Sequence, residues 1–252
     1  MKTNEVHTYL KHRFGSFATR YPAVVHWLAQ RLANEQFTGL PLLVLSIGMA
    51  VSVVTLSEVA ENIVNIEPMV QLDMAFTQWL FQGRTGQLSE IFYGLTWFGS
   101  IYVTVGLTLL GSIVLLLYQK KRNVLILWIL MAGVGLFVQV GKRQFNRPRP
   151  QQVAYYTETG FSFPSGHSAT ALTLYGLLGY WWIRRLRSIR SRIGVGVGAT
   201  SLVLLVGFSR IYLGVHFLSD VLGGYLLGIC WLIVGIVLTE WQRTSFELRR
   251  RF

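Results

Sequence analysis

Long apolar runs separated by short polar connections dominate the chain. Six of them approach membrane-spanning length, near Thr38–Leu56, Phe98–Tyr118, Val124–Gly141, Ser168–Ile183, Ile193–Phe208 and Val221–Thr239. A helix crosses the hydrocarbon core with about 20 mainly apolar residues, because only internal hydrogen bonds satisfy its backbone there. The fourth and fifth runs are short and borrow residues from the polar blocks beside them. The pattern predicts an all-α integral membrane bundle of six transmembrane helices, with no soluble second domain. Two segments stand outside it. In residues 1–36, Val24, Leu28 and Leu32 recur at helical spacing after Pro22, which suits the first turn of a helix lying on the membrane surface. The long connection 57–97 carries Leu72, Phe76 and Leu80 four residues apart, and a connection of that length predicts one or two short interfacial helices.

Charge adds an orientation. The chain has 23 Lys and Arg against 11 Asp and Glu, a net charge of +12. Seventeen of the 23 lie in the N-terminal tail, the second-to-third connection, the fourth-to-fifth connection and the C-terminal tail. By the positive-inside rule both termini are cytoplasmic. These basic runs read as topology signals and anionic-lipid contacts, not as nucleic-acid sites. The predicted division is a cytoplasmic amphipathic segment, 1–36, and a six-span membrane domain, 37–252. No cleavable signal peptide is visible, so the first span is expected to stay as an anchor. Cys230, the single cysteine, sits inside the last run and reads as a small buried apolar residue.

Three polar blocks at the ends of apolar runs carry the chemistry: KRQFNRPRP (142–150), FPSGHS (163–168) and SRIYLGVHFLSD (209–220). All three fall on the extracytoplasmic side. Ionisable groups so close to membrane spans are costly, and their default reading is functional. In the first block Lys142 and Arg149 lie seven apart, about two helical turns, before the prolines make the chain extended. Arginine supplies a planar fork for phosphate oxygens and lysine a point charge. Arg143 and Arg147 read as bystanders in an interfacial cluster. In the second block Ser165, Gly166 and His167 start a helix, whose N–H groups and dipole suit an anion; Ser165 adds a hydroxyl donor or only a cap. In the third block His216 and Asp220 are four apart and share a helix face, so the carboxylate can orient the imidazole. Arg210 can hold the same phosphate.

Taken together the blocks resemble the type 2 phosphatidic acid phosphatase superfamily, whose signature is KxxxxxxRP, PSGH and SRxxxxxHxxxD. Every signature position is matched, by Lys142, Arg149 and Pro150, by Pro164, Ser165, Gly166 and His167, and by Ser209, Arg210, His216 and Asp220. The resemblance implies that His216 is the nucleophile, forming a phosphohistidine, with Asp220 orienting it and His167 as general acid and then base. Lys142, Arg149 and Arg210 would neutralise the phosphoryl oxygens, aided by Ser165 and the N–H groups near Gly166. No cofactor and no metal are expected, since Asp220 is the one carboxylate in the three blocks.

A site at the outer interface is reached by a lipid carrying a terminal phosphate or diphosphate: undecaprenyl diphosphate, phosphatidylglycerol phosphate, phosphatidic acid or diacylglycerol diphosphate. Three rivals remain at this point: a lipid phosphotransferase, a vanadium haloperoxidase, which six spans oppose, and a non-catalytic lipid binder, which a complete His–Asp–His set opposes. Oligomeric state and the exact lipid stay open.

Overall fold

The structure is a computed structural model; its described residues are 3–32, 37, 39–65, 68–150 and 152–249. The boundary drawn between residues 36 and 37, the start of the first run at Thr38, and Lys2, Glu67, Arg250 and Arg251 involve residues outside those described. Among the described residues the secondary structure is entirely helical. Two compact units are present: residues 1–51 with 237–252, and residues 52–236.

In the first unit, α1 (Thr3–Arg13), α2 (Gly15–Arg20) and α3 (Pro22–Leu32) pack around Val6, Leu10, Ala18, Val25 and Ala29. The single amphipathic helix expected here is the third of three. Its buried row is Val25 and Ala29, with Leu28 alongside, while Val24 is 43% exposed. The face is turned by one position, because adjacent valines at 24 and 25 make both rows look alike in the sequence. Tyr9, Phe14, Phe17 and Trp27 are exposed.

The second unit holds the polar blocks. Its helices are the greater part of α4 (Leu40–Val64), α5 (Pro68–Gln82), α6 (Gly86–Thr96), α7 (Ile101–Leu117), α8 (Lys121–Phe145), α9 (Gly166–Ile183), α10 (Ile189–Tyr212) and most of α11 (Leu218–Arg249). Connection 57–97 thus carries the last turns of α4, then α5 and α6. The buried face of α5 is Asp73, Thr77 and Leu80, whereas Leu72 of the expected row is exposed. Phe76 is partly buried, against the cluster of Leu80, Ile211, Tyr212 and Val221.

Among the described residues four helices, α4, α8, α10 and α11, are long and apolar enough to cross a membrane. A fifth candidate is α6 and α7 taken as one span, bent by 44° at the turn around Trp97–Gly99. The remaining run, the fourth, is α9, a helix of 18 residues that does not meet the same test of apolarity. Its position explains why. Ala169, Ala171, Leu174 and Leu177 are fully buried, and Gly228 of α11 approaches so closely that a Cβ there would stand 2.9 Å from the Ala169 carbonyl. A helix walled in by protein has no need of a lipid-compatible surface. α7 shows the complementary case. Its buried face is Thr104, Thr108 and Ser112, each hydroxyl donating to the carbonyl four residues back at 2.7–2.8 Å, while Ile101, Tyr102 and Leu109 face outward. Polar atoms inward and apolar side chains outward is the arrangement a membrane solvent selects.

Candidate active site

The buried stripes of the helices lead directly into the site. On α8, Leu130, Val134 and Val138 are buried at four-residue spacing, and Lys142 continues that row. On α10, Val203, Val206 and Gly207 lead to Arg210, which is fully buried. The α10–α11 turn then places His216. Gly214 makes the turn with φ +68°, a conformation that favours glycine, and a side chain there would meet the Val153 carbonyl. The Val215 and His216 N–H groups both donate to the Arg210 carbonyl, at 3.1 and 3.2 Å. The nucleophile candidate and the arginine are therefore joined through the backbone.

His216 is 1% exposed, and both ring nitrogens are engaged. Nδ1 lies 3.3 Å from Asp220 Oδ2, and Nε2 lies 3.0 Å from Arg149 Nη1. Arginine can only donate, so Nε2 accepts and the ring proton sits on Nδ1, toward Asp220. That tautomer keeps the Nε2 lone pair directed at the arginine side of the site. Burial, then the positive charges of Arg210, Arg149 and Lys142, hold the His216 imidazole neutral, well below the usual histidine range.

Asp220 also accepts from the Phe217 N–H at 2.9 Å, from Arg147 Nη1 at 2.7 Å and from the Ser162 hydroxyl at 3.4 Å. Arg149 is fixed by the carbonyls of Val215 at 2.8 Å and Gly160 at 3.0 Å. Arg210 Nη1 donates to Thr96 Oγ1 at 2.8 Å and to the Tyr156 hydroxyl, and lies 3.4 Å from His167 Nε2. Lys142, half-buried, shares the field of Arg149, Arg210 and Asp220. The structure thus brings Lys142, Arg149, His167, Arg210, His216 and Asp220 together. Of the two readings of Ser165, the cap is the one seen. Its hydroxyl caps α9, accepting from the Ser168 N–H at 3.5 Å and the Ser168 hydroxyl at 3.0 Å. Gly166 and His167 occupy the first turn of α9, whose N–H groups have no acceptor within the helix.

Several partners escaped the sequence reading. Arg147 is no bystander: it is 7% exposed and bridges Asp73, at 2.8 Å, and Asp220. Arg143, by contrast, is exposed. The loop 152–162 brings Tyr156 and Glu158 to the arginines. Glu158 pairs with Arg149 at 3.3 Å and with Arg210, so a carboxylate lies on two of the three cations. The loop is held at its base by Arg84, which donates to the Val153 carbonyl at 2.7 Å, and by the Tyr155 N–H on the Leu213 carbonyl at 2.8 Å. One signal for Asp73 was available: it is the one charged residue of α5, at helical spacing with Thr77 and Leu80.

A sequence profile of the PAP2 superfamily matches residues 123–244. Phosphatidylglycerophosphatase B of Bacillus subtilis (strain 168) is 34% identical over 147 residues, covering 58% of this chain and 72% of that protein. The chain belongs to the PAP2 superfamily. An undecaprenyl-diphosphatase of Sulfolobus acidocaldarius is 30% identical over 153 residues, 56% of this chain and 66% of that one. Among solved structures, the transmembrane PAP2-type phosphatidylglycerolphosphate phosphatase of Bacillus subtilis superposes with a TM-score of 0.72 at 27% identity, over 76% of this chain and 96% of that one. PAP2 lipid phosphatases are hydrolases, and this chain is an integral membrane lipid phosphatase of that type.

Proposed function

We propose that this PAP2 phosphatase hydrolyses the terminal phosphate of a lipid phosphate or diphosphate through a phosphohistidine on His216. The site faces the extracytoplasmic side of a bacterial inner membrane. The reading takes α4, the bent α6–α7 pair, α8, α9, α10 and α11 as six spans, with both termini cytoplasmic; the distribution of Lys and Arg supports it.

The observation that carries the reading is the double engagement of His216, with Nδ1 on Asp220 and Nε2 on Arg149. A histidine that only stabilises the bundle needs no cation on its second ring nitrogen. When the phosphate displaces Glu158, Arg149, Arg210 and Lys142 take its non-bridging oxygens, and the Arg210 Nε, a buried donor without a protein acceptor, gains one. The Nε2 lone pair attacks phosphorus and the bond to the lipid oxygen breaks. His167 gives that oxygen its proton, and the developing positive charge on His216 is met by Asp220. Water next attacks phosphorus, His167 takes the water's proton, the P–N bond breaks, and orthophosphate leaves. Phosphoryl transfer asks chiefly for positioning and charge neutralisation, which three fixed cations supply.

The names of the relatives support two substrate classes, undecaprenyl diphosphate and phospholipid phosphates such as phosphatidylglycerol phosphate or phosphatidic acid. Phosphate release from a panel of these lipids, for wild type beside His216→Ala and with a chelator present, tests the reading. Chelator-resistant turnover by wild type and none by His216→Ala is expected. Full activity in His216→Ala overturns the nucleophile, and complete loss on chelation overturns charge neutralisation by the cations alone.

A further inference from the structure

Behind His216, on the side away from Arg149, a chain of buried charges extends out of the three polar blocks. Asp220 binds Arg147 Nη1 at 2.7 Å, and Arg147 Nη2 binds Asp73 Oδ2 at 2.8 Å. Ser219 closes the ring: its hydroxyl lies 2.7 Å from Arg147 Nη1 and donates to Asp73, and its N–H donates to Asp73 Oδ1 at 2.9 Å. The Arg147 guanidinium also lies 4.4 Å over the Phe217 ring.

We infer that Asp73 and Arg147 are positioning residues for the nucleophile, acting through Asp220. The inference rests on the phosphohistidine reading above. Both terminal nitrogens of Arg147 are taken by carboxylates, so this arginine, although it lies in the first polar block, is not part of the phosphate clamp. Its charge serves Asp220 instead. A carboxylate buried as completely as Asp220 would take up a proton if left alone, and a protonated Asp220 could not accept the Nδ1 hydrogen. The Arg147 guanidinium, 2.7 Å away, favours its ionised form. Arg147 alone, however, would cancel the negative charge that His216 needs as its ring turns cationic during attack. Asp73 restores that charge, because two carboxylates sharing one guanidinium carry a net charge of −1. The N–H and hydroxyl of Ser219, the residue before Asp220, also tie the first turn of α11 to α5 and fix where Asp220 points.

A network that only fastens α5 to the bundle would have the same bonds but would not act through Asp220, and a double-mutant cycle separates the two. The full chain is purified in detergent and assayed on a lipid phosphate as Asp73→Asn and Ser219→Ala, each alone and combined with Asp220→Asn, with His216→Ala alongside. Asp73→Asn is expected to lower kcat about 10- to 100-fold, the scale on which outer partners of a site group act. Ser219→Ala, which removes one hydroxyl, costs less and carries the cycle if Asp73→Asn does not fold. The KM and the inhibition constant of inorganic phosphate stay within about twofold of wild type, because neither side chain reaches the substrate. In the Asp220→Asn background either change alters the single-turnover rate by less than about twofold. Equal fold-losses in both backgrounds, a loss confined to KM, or no loss at all overturns the positioning role. Activity that persists in His216→Ala overturns the phosphohistidine reading itself, whatever the cycle shows.

Discussion

On the Nδ1 side of His216, Asp220, Arg147, Ser219 and Asp73 form a closed network whose members are at most 7% exposed. On the Nε2 side, Arg149 and Arg210 share the carboxylate of Glu158, which is 23% exposed and carried by a loop, and one buried nitrogen of Arg210 has no acceptor. Both sides pair arginine with carboxylate, yet they are built for different tasks. A buried pair is costly to break, about 3–5 kcal/mol when one member is removed. A carboxylate on a partly exposed loop can be exchanged for another anion. One side holds a side chain still, and the other keeps cations ready for a phosphate of similar charge and shape.

The largest test of this contrast strikes the fixed side. Asp220→Asn keeps the shape but withdraws the charge behind His216 and changes what Nδ1 meets. By the scale on which an orienting aspartate acts in a Ser–His–Asp triad, kcat should fall by about 10²- to 10⁴-fold. Inhibition by inorganic phosphate, read from the other side, should change little. Steady-state assays with phosphate as competitor check both; a large rise in the phosphate inhibition constant would merge the two sides into one.

The sequence disclosed one side much better than the other. Lys142, Arg149, His167, Arg210, His216 and Asp220 were legible because fixed spacings set them at the ends of apolar runs. The His216–Asp220 contact is local, four residues apart. Arg147 and Asp73 are 74 residues apart, one in the segment after α8 and the other within α5, so no periodicity links them. Arg147 therefore looked like any arginine at the end of a span. The same limit applies to the fold. A helix enclosed by others, such as α9, carries Thr173, Gly176 and Tyr175 where a lipid-facing helix would carry leucine, which leaves the span count undecided by hydropathy. The face of α3 was misplaced by one position, because neighbouring apolar residues offer two nearly equivalent rows; on α5 Leu80 is buried as its spacing suggests, but the inner row continues through Asp73 and Thr77, which apolar periodicity does not mark.

A medium effect probes the electrostatics linking the sides. The attacking imidazole must be neutral, and the cations help to hold its pKa below the ordinary value of about 6.5. Activity governed by His216 is therefore retained as pH falls through 6.5 and is lost only as pH falls through the lowered value. Arg149→Gln removes one of those positive charges, so its His216 protonates at a higher pH. The acid limb of kcat/KM should move upward by about one pH unit in that variant, alongside a loss of rate. An acid limb at the same pH in both proteins would show that the Arg149 charge takes no part in setting the protonation of His216.

The smallest effect belongs to the exchangeable side. Glu158 competes with phosphate for Arg149 and Arg210, and a partly exposed ion pair contributes about 1 kcal/mol. Glu158→Gln removes the competing charge and leaves the loop anchors at Arg84 and Tyr155 in place. Inorganic phosphate should then inhibit about fivefold more tightly, the equivalent of that energy, measured as the competitive inhibition constant at fixed ionic strength. Inhibition that weakens in Glu158→Gln would mean that the carboxylate assists the incoming phosphate, and that both sides of His216 hold their charges as permanent parts of the site.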